Sequence, residues 1–195
     1  MEVVIASGNA GKLREFSSLL EPLDVTVRSQ GHYGIEPAPE IGVTFVENAL
    51  EKARYASRLA LCPAIADDSG LVVPALGGEP GIYSARYAGE HGSDADNNAK
   101  LLEACSTLSD RSAYFYCALV YLRSPEDPAP LIATAAWHGT LLESPQGDNG
   151  FGYDPLFWIE AEGATSAQLD PDVKNQLSHR GQATRALLQQ LQAVL

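Results

Sequence analysis

Apolar positions along the chain fall into short blocks that alternate between strand and helix spacing. Val3-Val4-Ile5-Ala6 is a continuous apolar run of strand length, followed at once by the turn residues Ser7-Gly8-Asn9-Ala10-Gly11. From about Lys12 to Leu20, the residues Leu13, Phe16, Leu19 and Leu20 recur at helical spacing, and Pro22 ends the pattern. The chain therefore opens as strand, glycine turn and helix start. Val25-Thr26-Val27 predicts a second strand, and Gly31, Gly34, Pro37 and Pro39 predict a loop as far as Gly42.

Thr44-Phe45-Val46-Glu47 has the spacing of a capping box, in which a hydroxyl and a carboxylate satisfy two orphan amides at a helix start. The helix is predicted to run to about Leu61, with Phe45, Ala49, Ala53, Ala56 and Ala60 as a largely small-residue face for close packing on a sheet. Ala64-Ile65-Ala66 is predicted as a strand that ends at Asp67-Asp68-Ser69-Gly70, and carboxylates at a strand end in an α/β protein signal function. Leu71 to Leu76 continues as strand, before the turn cluster Gly77 to Gly81. A helix capped by Asp94 is predicted to about Cys105, with Leu101 and Leu102 inward. Ala113 to Leu122 and Leu131 to Trp137 are predicted as paired strands, Leu156 to Ile159 as another, and His179 to Leu195 as a final helix packing through Ala183, Leu187, Leu191 and Val194.

Strands interleaved with helices make this an α/β protein around a mixed β-sheet flanked by helices. With 195 residues, no internal repeat and no long linker, one domain of two lobes over residues 1–195 is expected. A chain of this size buries roughly 70% of its unfolded surface, enough for a core without disulfides or a structural metal. Cys62, Cys105 and Cys117 are odd in number and lack metal-ligand spacing, which fits small buried hydrophobes. No apolar stretch is long enough to span a bilayer and no basic segment opens the chain, so a soluble cytoplasmic protein without a membrane partner is expected. The formal net charge of −12 opposes binding to polymeric nucleic acid.

Charge also sharpens the search for chemistry, because the only lysines are Lys12, Lys52, Lys100 and Lys174. An acidic chain that binds an anion must gather its few cations. Ser7 to Lys12 places a glycine turn, a helix start and one full positive charge together, which suits phosphate; an ordinary strand-to-helix turn is the alternative, and the spacing is not that of a Walker loop. Asp67 and Asp68, with Glu40 from a preceding loop, offer hard oxygen ligands for a divalent cation, or else form a solvated turn. Successive residues of a strand face opposite ways, so one aspartate is expected to reach a metal. Gly150-Phe151-Gly152-Tyr153-Asp154-Pro155 carries two rings able to stack on a base, or to pack a core. Ser178-His179-Arg180 opens the last helix, either as a structural cap or as donors to a heterocycle's oxygen, with Lys174 nearby for phosphate.

These segments together resemble the inosine triphosphate pyrophosphatase family, which removes non-standard purine nucleoside triphosphates. The likeness is carried by Ser7-Gly8-Asn9-Ala10-Gly11-Lys12, Gly42 to Ala49, Ala66-Asp67-Asp68-Ser69-Gly70-Leu71, Gly78 to Tyr87, Phe151 to Pro155 and Ser178-His179-Arg180-Gly181. It implies a homodimer of elongated subunits with the active site in a cleft between lobes. It also implies hydrolysis of ITP, dITP or XTP to the monophosphate and pyrophosphate with Mg2+. By the same likeness, the Ser7 to Lys12 loop (Ser7, Gly8, Asn9, Ala10, Gly11 and Lys12) holds the triphosphate, and Lys52 adds charge. Glu40 and Asp68 serve the metal, Asp68 accepts the proton of the attacking water, and Asp67 supports it. Ser69 touches substrate, Phe151, Gly152, Tyr153 and Asp154 orient the base, and Lys174, His179 and Arg180 complete the base and sugar pocket. Pro39 and Ile41 flank Glu40 where the family often has consecutive glutamates, and Tyr153 stands where some relatives carry tryptophan. The alternatives are a pyrophosphatase for modified pyrimidine or ordinary deoxynucleoside triphosphates, a nucleotide-sensing module without turnover, and a dimeric structural protein.

Overall fold

The computed structural model describes residues 1–8, 13, 16–17, 20–21 and 25–193. The expectations for Asn9, Ala10, Gly11, Lys12, Leu19, Pro22, Val194 and Leu195 lie outside the described residues. In chain order the elements are β1 (Glu2–Ile5), β2 (Thr26–Ser29), α1 (Phe45–Ala60), β3 (Ala64–Val72), α2 (Asp94–Ala104), β4 (Ser112–Leu122), β5 (Leu131–Leu141), β6 (Phe157–Ile159), β7 (Ala164–Thr165), α3 (Pro171–Leu177) and α4 (His179–Gln192). The strands form one sheet in the order β2-β1-β3-β4-β5-β6-β7. It is mixed, as expected: β1 runs parallel to β2 and β3, whereas β6 is antiparallel to β5 and β7.

By internal packing the chain divides into two compact units, one of Met1–Asp68, Cys117–Thr134 and Ala183–Leu195, the other of Ser69–Tyr116 and Ala135–Gln182. In the first, Val3, Val4 and Ile5 of β1 are buried among Ala49, Ala53 and Ala56 of α1, whose small side chains let helix and sheet approach closely. Helix α1 starts where its sequence predicts, with Thr44 Oγ1 accepting from Glu47 N at 3.2 Å, but the Glu47 carboxylate takes Val43 N at 3.0 Å in place of the Thr44 amide of a full capping box. It stops at Leu61, whose φ of 55° puts the backbone in the left-handed region.

The second unit buries an apolar cluster that includes Leu71, Leu101, Phe115, Trp137, Tyr153 and Phe157. Phe115 lies 4.7 Å from Phe157, centroid to centroid, and Trp137 lies 5.2 Å from Phe157.

Several expectations are corrected. Strand β3 does not end at Asp67 but continues through Asp68, Ser69 and Gly70 to Val72. Asp68 remains in a buried strand because its charge is met by side chains of α1, described below, and no turn is needed to bring it to water. The predicted strand from Leu71 to Leu76 is cut short, since Pro74–Leu76 is a single 3-10 turn. Helix α2 is capped by Ser93, not Asp94: Ser93 Oγ accepts from Asp96 N at 3.2 Å and Asp96 Oδ2 accepts from Ser93 N at 2.8 Å. Among the described residues no helix is long and apolar enough to cross a membrane.

Candidate active site

In the first unit, the residue after β1 and the loop before α1 come together with α1 and β3. A cavity of ≈ 230 Å³ lies there, with Ser7, Gly8, Gln30, Glu40, Lys52 and Asp67 in its lining. Lys52 is the hub. Its Nζ donates to Glu40 Oε1 at 2.9 Å and to Asp68 Oδ1 at 2.9 Å, so residues 28 positions apart in sequence converge on one ammonium. The other oxygen of Asp68 is held as well. Asn48, one turn before Lys52 on α1, donates from Nδ2 to Asp68 Oδ2 at 3.3 Å, and its Oδ1 accepts from Gly42 N at 2.8 Å. The backbone donor at Gly42 fixes the amide so that the NH₂ must face the carboxylate.

Burial pushes the Asp68 carboxyl upward, and the Lys52 charge only partly draws it back, so its pKa is raised. For Lys52, burial pushes the ammonium down, but the carboxylates of Asp68 and Glu40 outweigh it and the net direction is up. Lys52 therefore stays charged, while Asp68 binds a proton more readily than a free carboxylate does. Glu40 and Asp68 share this one ammonium and Asp67 lines the adjoining cavity, leaving an excess of negative charge that favours a further cation. The donor set is hard oxygen, as magnesium prefers, and Glu40 and Asp68 already bracket one compact cation, the Lys52 ammonium. Among the described residues no group of three or more His, Cys, Asp or Glu is arranged to hold a metal unaided. Two carboxylates completed by phosphate oxygens and water match the usual magnesium arrangement.

The second unit gathers the remaining residues around an exposed aromatic ring. Phe151 is 62% exposed, with Lys174 Nζ 5.1 Å and Arg180 Cζ 5.9 Å from its ring centroid. Lys174 is ion-paired with Asp154, which also accepts from Phe151 N at 2.8 Å and from Ser166 Oγ at 2.8 Å. At Gly150, φ is +81° and a Cβ would lie 2.2 Å from Asp154 Oδ2, so only glycine lets the turn close over that ion pair. Lys174 and Arg180 come near the same ring because Ser178 alone separates α3 from α4; its backbone is extended, and its Oγ accepts from Gly181 N at 3.1 Å. Arg180 Nη2 donates to Ser69 Oγ at 3.1 Å. His179 is buried and stacks on Phe115 at 4.9 Å with the rings 12° apart. Tyr153 is buried in the apolar cluster, its hydroxyl donating to Ser84 O at 2.8 Å, so of the two rings in the motif Phe151 is the exposed one.

The structure thus gathers Ser7, Gly8, Glu40, Lys52, Asp67 and Asp68 in one unit, and Ser69, Phe151, Asp154, Lys174 and Arg180 in the other, with His179 and Tyr153 behind them in its core. Sequence reasoning missed Asn48. Its signal was the four-residue spacing of Asn48 and Lys52 on a helix capped by Thr44.

A model of the Ham1 family matches residues 3–190. A protein of Halorhodospira halophila (strain DSM 244 / SL1) named dITP/XTP pyrophosphatase is 53% identical over 195 residues, covering 99% of this chain and 98% of its own. The Escherichia coli (strain K12) protein of the same name is 50% identical over 192 residues, covering 97% of this chain and 98% of its own. Among solved structures, a HAM1 protein from Coxiella burnetii superposes with a TM-score of 0.96 at 45% identity, with 99% of each chain covered. Sequence and backbone agree over nearly the whole length, and the chain belongs to the Ham1 family.

Proposed function

We propose that the protein hydrolyses the non-standard purine nucleoside triphosphates dITP, ITP and XTP to the nucleoside monophosphate and pyrophosphate, with Mg2+. The observation that carries this reading is the Lys52 ammonium held between Glu40 and Asp68 beside a cavity lined by Ser7, Gly8 and Asp67. The names of its half-identical relatives supply the substrate class.

Ser7 and Gly8, continued in sequence by Asn9, Ala10, Gly11 and Lys12, bind the triphosphate, and Lys52 adds a second charge. Asp68 takes a proton from the water that attacks the α-phosphorus, and its raised pKa suits a proton acceptor. Asp67 supports it. The bond from the α-phosphorus to the bridging oxygen breaks, and the pair of electrons leaves with pyrophosphate, whose growing charge meets Lys12 and Lys52. Glu40 and Asp68 would hold Mg2+, which would supply charge neutralisation at the phosphate oxygens.

Recognition of the base falls to the second unit. Phe151 stacks on it, with Gly152, Tyr153 and Asp154 shaping the segment that presents the ring. Lys174, His179, Arg180 and Ser69 supply donors, and hypoxanthine and xanthine carry a 6-oxo acceptor where adenine has an amino donor. A site built on such a hydrogen bond rejects the mismatched analogue by as much as ~10⁴ to 10⁵. The family match through residues 3–190 supports one catalytic domain over the whole chain, and the −12 charge supports a small-molecule partner over a nucleic-acid polymer. A cytoplasmic homodimer belongs to the same reading.

A panel of triphosphates tests it. The catalytic efficiency for dITP and XTP is expected to exceed that for dATP by at least about a thousandfold. A preference for dTTP or dUTP would favour the pyrimidine reading, and tight binding without turnover would favour a sensor.

A further inference from the structure

Phe151 is an exposed ring flanked by two glycines, and such a segment loses much entropy when it is ordered. Its place is set by side chains and not by a ladder. Gly152, at φ +60°, has both of its backbone polar groups taken by helix α2: Asp94 Oδ2 accepts from Gly152 N at 2.6 Å, and Asn98 Nδ2 donates to Gly152 O at 2.8 Å. Asp94 and Asn98 are four apart and share one face of the helix, which the Ser93–Asp96 capping box anchors at that end. Neighbouring α2 residues hold the 81–89 segment in the same manner, with Asn97 bonded to Ala88 N at 2.7 Å and Lys100 to Tyr87 O at 2.6 Å. Asn98 bears a cost for its place: its Oδ1 is buried and finds no donor among the described residues.

We infer that Asp94 and Asn98 are positioning residues for substrate, clamping Gly152 at its N–H and its C=O so that the Phe151 ring is already in place when a nucleobase stacks on it. This deepens the proposed function and rests on its assignment of Phe151 to the base. Because the clamp orders the free protein, its loss is felt in binding and not in the chemistry at phosphorus.

The test compares Asn98→Ala, Asn98→Asp, Asp94→Ala and Asp94→Asn with the unaltered protein, using steady-state pyrophosphate release from dITP and hydrogen exchange at the Gly152 amide. Asn98→Ala and Asn98→Asp are expected to raise KM about tenfold with kcat within about threefold, and Asp94→Ala to do the same. Asp94→Asn keeps an acceptor oxygen and is expected to stay within about twofold of the parent in KM. Exchange at Gly152 is expected to quicken at least about tenfold in Asp94→Ala but not in Asp94→Asn. An unchanged KM in the alanine variants, or a loss confined to kcat, overturns the inference. Where Asn98→Ala does not fold, Asn98→Asp and Asp94→Ala decide by the same two readings. If the unaltered protein releases no pyrophosphate from dITP or XTP, the proposed function has failed; if it does and the variants match it, the clamp alone has failed.

Discussion

Asp68 shows what a buried carboxylate costs and what it supplies. Both of its oxygens are engaged, by Lys52 and by Asn48, yet burial still leaves its pKa raised. A group whose folded pKa lies above its unfolded value adds stability only in its protonated form; that contribution is full below about pH 4 and is lost as pH rises through the folded value. At pH 7 the ionised Asp68 therefore contributes less stability than its protonated form does at low pH. Asp68→Asn is expected to cut dITP turnover by at least about a hundredfold while leaving the thermal midpoint at pH 7 as high as the parent's or higher. A clear loss of stability at pH 7 would show that the Lys52 pairing outweighs burial. Asn48→Ala removes the second hold on Asp68 and frees Gly42 N, and a fall in kcat of about 10- to 100-fold is expected for a residue that orients the carboxylate proposed to hold the metal. Near-parental kcat would deny it that role. Asn98 did not stand out in the sequence, and Asn48 was marked only by its spacing from Lys52, because a neutral amide acquires its importance from the two groups that the fold sets on either side of it.

Helices and strands were legible to different degrees. Helix α1 could be read from Thr44, Glu47 and its alanine spacing, since these signals are local and act within one or two turns. The course of β3 past Asp67 could not, because aspartate is a poor strand former until a partner on another element meets its charge. Helix α3 was missed for a related reason: none of its seven residues is buried, so no apolar period marks it. The turn joining β4 to β5 depends on one carboxylate. Asp127 is 5% exposed and accepts from Arg123 N at 3.0 Å, Arg123 Nε at 2.8 Å and Ala129 N at 3.0 Å. The Arg123 hydrogen bonds hold its carboxyl far below the usual range. A depressed folded pKa gives stability that is present above the unfolded value and lost as pH falls toward the folded one. Asp127→Asn is therefore expected to cost about 1–3 kcal/mol at neutral pH, with the difference narrowing below about pH 4. Denaturant titrations across that range check it, and a gap that stays constant to low pH would contradict it.

For the molecule as a whole, the scarcity of lysine was the most informative feature of composition. Lys52 and Lys174 each sit against carboxylates at a candidate site, Lys52 between Glu40 and Asp68 and Lys174 on Asp154. Residue type and resemblance were enough to nominate these groups, but not to show that one ammonium bridges residues on a loop and a strand. Such a charge cluster is proposed to direct water to the α-phosphorus of a purine triphosphate. Hydrolysis of dITP in water enriched in oxygen-18, with both products analysed by mass spectrometry, tests it most directly. dIMP carrying one heavy oxygen and unlabelled pyrophosphate are expected; label in the pyrophosphate, or release of orthophosphate as the first product, would rule out attack at the α-phosphorus.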